Sequence, residues 1–185
     1  MDSVIEQILA EVADCARQVS AESLIQVEGL LDAASRVFVA GAGRSGLCMR
    51  ALGMRLMHLG KTVYVVGETT TPSIASENLL ILGSGSGQTA SLLAMAAQAR
   101  GKNAKILLFT TDANSPLSEQ ADLCVVIPAP SFRATDEAHN SISVQPLGTL
   151  FEQSMLIVCD SLILRLMQRN AISSTQMFER HANLE

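Results

Sequence analysis

The chain predicts an α/β protein with a parallel sheet covered by helices on both faces, and three observations carry that prediction. Short β-prone runs alternate with stretches of helical apolar spacing along most of the 185 residues, the pattern of strand–helix–strand crossovers. Hydrophobic residues make up 48% of the chain but aromatics only 3%, and Trp is absent. A core of Leu, Ile, Val, Ala and Met suits helices packed on a parallel sheet better than an aromatic-rich sandwich. Finally, two apolar runs end directly in glycine-rich turns, VFVAGAGRSG and LLILGSGSGQT, and each turn leads into helical spacing.

The elements follow in order. Residues 3–19 place Val4, Ile8, Val12, Cys15 and Val19 on one stripe with acidic residues opposite, an amphipathic helix. Residues 22–34 repeat that period through Leu24, Val27, Leu30 and Leu31. Arg36–Ala40 is a short buried-type strand ending at the first glycine turn. Helical spacing returns over 47–60 and stops at Gly60, a plausible residue for the left-handed helix end. Residues 61–66 and 78–83 read as the second and third strands. An Ala-rich helix over 89–101 is stopped by Gly101. Residues 104–110 and 122–128 are strands four and five, with a short helix near 116–120 between them. A polar stretch over 129–144 precedes a long helix, about 146–170, and a short terminal piece around 174–181. Polar loops of that length inside a domain are often functional. The chain is thus expected to be one domain over 1–185, with N-terminal helices (1–35), a sheet core (36–128), a loop (129–145) and C-terminal helices (146–185).

Charge and cysteine usage exclude several classes. The net charge is −5 with no Lys/Arg cluster, so nucleic acid is not an expected partner. Cys15, Cys48, Cys124 and Cys159 are widely spaced in apolar stretches, as expected of reduced, buried thiols rather than a zinc site or disulfide framework. The acidic, periodic N-terminus is unlike a signal peptide, and the most apolar segment is interrupted by Asp160 and Arg165. The expectation is a cytoplasmic protein without a membrane partner.

Both glycine turns lie where a strand meets a helix, so backbone N–H groups and a helix N-terminus point to one spot, an arrangement suited to an anion. The hydroxyls of Ser45, Ser84, Ser86 and Thr89 line them. The working reading is a site for a phosphorylated small molecule. Gly41-Ala-Gly43-Arg-Ser-Gly46 also matches the dinucleotide fingerprint G-x-G-x-x-G, with Glu68 after the next strand as the ribose ligand. That reading ranks second, because it leaves the second turn without a role. A purely structural reading is that the glycines only permit tight turns. The second turn lacks the Lys of a nucleoside-triphosphate loop, since its last positions read Gly87-Gln88-Thr89.

Glu152 sits among Leu150, Phe151, Met155 and Leu156 early in the last long helix. Apolar surroundings would suit a general base, but a first-turn Glu that complements the helix dipole is the simpler reading. His58 on an apolar helix reads as a core or interface residue. His139 in the polar loop and His181 near the end read as solvated, and three scattered His favour no metal site.

The segments VFVAGAGRSGLCMRALGMRLMHLG, GETTTPS, ILGSGSGQTASL, QPLGTLFEQSMLIVCDSLIL and MFERHANLE, taken together and in order, resemble the sugar isomerase (SIS) family, and within it the hexulose-phosphate isomerases. The resemblance implies a three-layer αβα sandwich with a five-stranded parallel sheet, flavodoxin-like in architecture. It also implies interconversion of D-arabino-3-hexulose 6-phosphate and D-fructose 6-phosphate in the ribulose monophosphate route of formaldehyde fixation or detoxification. No metal or organic cofactor is implied. The implied partners are a sugar phosphate and further copies of the chain, in a homotetramer with sites between subunits. By position, Ser45 would bind sugar hydroxyls or phosphate. Ser84, Gly85, Ser86, Gly87 and Thr89 would hold the phosphate, with Gln88 in the same loop. Gln88 departs from the family pattern, where Glu is frequent, and so brings no charge. Glu152 would be the base, and His181 from a neighbouring subunit would assist ring opening. Arg44, Arg55 and His58 are further candidates. Rival expectations are an isomerase of another phosphosugar (arabinose 5-phosphate or sedoheptulose 7-phosphate) and a non-catalytic sugar-phosphate sensor.

Overall fold

Ser3 opens the first helix, α1 (Val4–Arg17): its hydroxyl accepts from the Glu6 N–H while the Glu6 carboxylate accepts from the Ser3 N–H, a reciprocal cap. Ser20 caps α2 (Ala21–Ala33) in the same position. These helices belong to a computed structural model that describes residues 3–130 and 143–184. The chain continues through β1 (Arg36–Gly41), α3 (Gly43–His58), β2 (Val63–Val65), β3 (Asn78–Gly83), α4 (Ala90–Gly101), β4 (Lys105–Thr110), a 3-10 turn (Ser118–Gln120) and β5 (Leu123–Val126). It ends in α5 (Thr149–Arg169) and α6 (Ser174–Phe178). Most of the polar 129–144 stretch, His139 included, lies outside the described residues.

All five strands pair in parallel, in the order β2-β1-β3-β4-β5. This is the flavodoxin-like order. Alternate residues then serve two cores. Val37, Val39, Leu79, Ile81, Leu107 and Phe109 pack with residues of α1, α2, α3 and α5, whereas Phe38, Ala40, Leu80, Leu82, Ile106 and Leu108 pack with α4. β3 is buried along its whole length, as a central strand between two helical layers requires. The four cysteines are free thiols at buried or half-buried positions, as the composition suggested.

The start of α3 and the turn that follows α4 differ most tellingly from the sequence expectation. α3 begins at Gly43 rather than near 47, so four of the six residues of the first glycine motif are helix. The cause is contact between backbones. A Cβ on Gly41 would lie 2.9 Å from Gly46 Cα, so β1 can run straight into the first turn of α3 only with glycine at both positions. α4 ends at Gly101, as expected, but the residue that takes the left-handed conformation beyond it is Asn103 (φ 58°). There the Ala104 N–H bonds to the Ala99 carbonyl and the Asn103 N–H to that of Arg100. Ala99 and Ala104 are both buried, so the apolar contact that accompanies such an ending selects Asn103 over Gly101. Gly60 does end α3 as expected, with φ 92°.

Candidate active site

The strand order reverses between β1 and β3, and the two glycine turns leave the carboxyl ends of those two strands. Open α/β sheets bind ligands at this switch point. A cleft of ≈ 320 Å³ lies there, within the range of small-molecule sites. Its walls include Ala42, Gly43 and Ser45 from the β1–α3 junction, and Gly83, Ser84, Gly85, Ser86 and Thr89 from the β3–α4 loop. Thr111 after β4, with Gly148, Phe151 and Glu152 at the start of α5, completes the opposite side.

Three helices begin on this cleft, and none is capped by its own side chain: α3 at Ala42, α4 at Thr89 and α5 at Gly148. The helices that start elsewhere, α1, α2 and α6, each carry a capping serine. Uncapped N-termini leave first-turn N–H groups and the positive ends of three helix dipoles for an anionic guest. The β3–α4 loop adds to this. The carbonyl of Gly85 accepts from Thr111 N–H (3.0 Å), Thr110 Oγ1 (3.1 Å) and Thr111 Oγ1 (2.9 Å), which fixes the loop from behind. Among the described residues, the N–H groups of Gly85 and Ser86 donate to no protein acceptor. Gly87 has φ 60°, and a Cβ there would overlap the Ser115 side chain, so no other residue fits that turn.

Glu152 faces this cradle from α5. Its side chain is 16% exposed, and its Oε2 accepts from Arg44 Nε at 2.6 Å. The apolar environment read from its sequence neighbours is therefore incomplete: a guanidinium from α3 lies against the carboxylate. The Cys48 thiol, pushed up by burial and by the adjacent Glu152 charge, donates to the Glu152 carbonyl (3.4 Å) and ties the first turns of α3 and α5 together.

Of the residues expected to bind substrate, Ser45, Ser84, Gly85, Ser86 and Thr89 line the cleft with Glu152. Gly87 does not; it shapes the loop against Ser115. Gln88 is exposed, and its N–H donates to Ser86 Oγ at 3.3 Å. Glu68, the ribose ligand of the dinucleotide reading, is on the surface paired with Arg50 (2.6 Å) and lines no part of the cleft. Thr111 and Gly148 escaped the sequence reading. The rule that ligands gather at strand carboxyl ends would have found Thr111, but nothing local marks Gly148.

His181 lies elsewhere. Its ring stacks on His58 (centroids 5.4 Å apart, 19°) and on Phe178 (5.6 Å, 23°) beside Arg55, Met167 and Ser174. His58 ends α3 whereas Arg44 begins it, so this second hollow lies about 20 Å along the helix from Glu152. Burial, then the Arg55 charge and His181, push His58 below its ordinary value. Within one chain, His181 and Glu152 do not meet.

Among the described residues no group of three or more His, Cys, Asp or Glu is arranged to hold a metal ion, and no helix is long and apolar enough to cross a membrane.

Comparison with known proteins gives the family. Residues 30–147 match the SIS domain, and the chain belongs to the SIS domain family. It is 39% identical to a 3-hexulose-6-phosphate isomerase of Bacillus subtilis, over 98% of this chain and 97% of the relative. It is 43% identical to a 3-hexulose-6-phosphate isomerase of Mycobacterium gastri, over 95% of this chain and 86% of the relative. A solved structure from Methanococcus jannaschii, reported to infer the molecular function of a 3-hexulose-6-phosphate isomerase, superposes with a TM-score of 0.83. That structure is 32% identical, and the match covers 98% of both chains.

Proposed function

We infer that this protein is a sugar-phosphate isomerase that interconverts D-arabino-3-hexulose 6-phosphate and D-fructose 6-phosphate in the ribulose monophosphate route. Near full-length identity to relatives of that name supports the reading. The observation that carries it is one cleft in which an anion cradle and, among the described residues, one carboxylate, Glu152, face each other.

The chemistry assigns each group a part. The phosphate takes the β3–α4 loop, with the Gly85 and Ser86 N–H groups and the hydroxyls of Ser84, Ser86 and Thr89 around it. Ser45 faces the sugar hydroxyls. Moving the carbonyl from C3 to C2 means taking the proton from C2, passing through a cis-enediol, and returning a proton to C3. One carboxylate on one face of the enediol does both transfers, so Glu152 is the acid–base group. Charge that builds on the enediolate oxygens is met by hydroxyls and helix N-termini already in place. The steps are proton transfers only.

Fructose 6-phosphate is mainly a closed furanose, whereas the 3-ketose cannot form the equivalent ring because its O6 carries phosphate. Ring opening on the fructose side needs an acid–base group. His181 suits it, because an imidazole can both give and take a proton. Because His181 is remote from Glu152 in its own chain, we assign the role to His181 of the partner subunit in a homo-oligomer. The exposed apolar residues Leu47, Met54 and Met57 on α3 and Ile157 and Leu164 on α5 supply a surface for that assembly.

The direct test is conversion. Fructose 6-phosphate incubated with the protein should yield a 3-ketose phosphate detectable by carbon NMR. Formation of an aldose phosphate in its place would assign the protein to a different phosphosugar.

A further inference from the structure

Glu11 lies in the middle of α1 and belongs to no motif. Its carboxylate accepts from three consecutive residues: Oε2 from the Ser143 hydroxyl (2.8 Å) and Gln145 Nε2 (3.0 Å), and Oε1 from the Val144 N–H (2.8 Å). The Gln145 N–H in turn donates to Ser143 Oγ (3.0 Å), which closes the cluster, and Gln145 itself is buried. Immediately beyond come Pro146, Leu147 with φ 55°, and Gly148, where α5 starts. A left-handed leucine persists only where its surroundings over-determine it. Four residues further on is Glu152.

We propose that Glu11 is a positioning residue for the isomerase site, pinning residues 143–145 to α1 so that the Leu147 turn, the Gly148 wall of the cleft and the Glu152 carboxylate stay aligned. This rests on the isomerase reading above through Glu152. The residue type follows from the donors: two hydroxyl or amide groups and a backbone N–H converge on one point, and only a carboxylate offers enough acceptors without a donor of its own. Burial pushes the Glu11 carboxyl up, but the bonds from Gln145, Val144 and Ser143 outweigh it and hold the group below its ordinary value, so the tether is charged at neutral pH. The consequence is catalytic because one base must reach both C2 and C3, and a displacement on the order of 1 Å is costly in turnover.

The test uses the full chain with Glu11→Ala, Gln145→Ala and the double variant, beside wild type and Glu152→Gln. For Glu11→Ala the expectation is a fall in kcat of about tenfold or more, with KM changed by less than about threefold. Amide hydrogen exchange should quicken over 147–152, and the double variant should be no worse than Glu11→Ala alone. A folded Glu11→Ala with wild-type kcat and unchanged exchange over 147–152 overturns the proposal, as do losses that multiply in the double variant. If Glu11→Ala does not fold, Glu11→Gln, which keeps one accepting oxygen, is held to the same criteria. An inactive wild type or a fully active Glu152→Gln sinks the isomerase reading instead, and exchange over 147–152 then still decides whether Glu11 holds the segment.

Discussion

Arg44 and Glu152 meet across the mouth of the cleft, Nε to Oε2 at 2.6 Å, although 108 residues separate them. One side chain comes from the first turn of α3, the other from the first turn of α5. The contact holds the carboxylate at the cleft opposite the β3–α4 loop and engages one of its two oxygens; in the proposed reaction the other is the one that moves the proton. Arg44 is 61% exposed, so the pair contributes alignment rather than much stability.

Replacing the carboxylate is the sharpest test of its role. Glu152→Gln keeps the shape and a hydrogen-bond acceptor for Arg44 but cannot take a proton from carbon. Turnover should fall by about 10²–10⁴-fold, with the calorimetric Tm within a few degrees of wild type. Near-normal turnover would remove Glu152 from the acid–base role.

The distance between His181 and Glu152 within one chain gives a second prediction. Two inactive variants, Glu152→Gln and His181→Ala, should restore activity when they are unfolded, mixed in equal amounts and refolded together. Random pairing across a two-fold interface rebuilds about one site in four. Activity no higher than in the separate variants would place both residues in one chain's site, or remove His181 from the reaction.

Two backbone positions predict stability changes of opposite sign. Ala171 ends α5 with φ 52°, where its N–H bonds to the Gln168 carbonyl and that of Ile172 to Met167. Ala171→Gly should raise stability by about 1 kcal/mol by relieving the left-handed strain, a rise in Tm of roughly 2–4 °C. Gly87→Ala should lower stability by at least ~2 kcal/mol, because strain at φ 60° adds to the overlap with Ser115. Calorimetry of both variants decides, and equal effects would contradict the account of these turns.

A pH effect follows from His58, whose folded value lies below its ordinary 6.5 because of burial, Arg55 and His181. The folded state binds that proton less readily than the unfolded chain. Stability from this group is therefore complete above about pH 7 and is lost as pH falls through 6.5 towards the folded value. Glu11 and Asp122, both held below their ordinary values, act in a separate and more acidic window. His58→Phe, which keeps a ring against His181, should flatten the loss of Tm as pH falls below about 6.5. An unchanged slope would show that His58 is not its source.

The parts of this molecule that were legible in the sequence are those set by neighbours along the chain. The two strand–glycine–helix junctions, the helix end at Gly60 and the alternation behind the parallel sheet all depend on residues a few positions apart. The start of α3 did not, because Gly43 and Gly46 weaken helical spacing locally and only the approach of Gly41 to Gly46 shows why they are there. The site divides in the same way. Ser45 and the Ser84–Thr89 loop stood out by composition and placement, and Ser45, Ser84, Gly85, Ser86 and Thr89 do line one cleft. Glu152, read locally, was an ordinary first-turn acid; the role proposed for it came only from the family resemblance, and its place in the cleft only from the packing of α5. Arg44 on Glu152, and Glu11 on residues 143–145, are contacts between segments more than 100 residues apart. They form only once α3 and α1 pack on α5.

The measurement closest to the central claim is hydrogen exchange into substrate carbon. With fructose 6-phosphate in heavy water, the account predicts enzyme-dependent incorporation of deuterium at C3, observed by proton and carbon NMR and abolished in Glu152→Gln. Incorporation at C1 without C3, or none at either carbon, would contradict it.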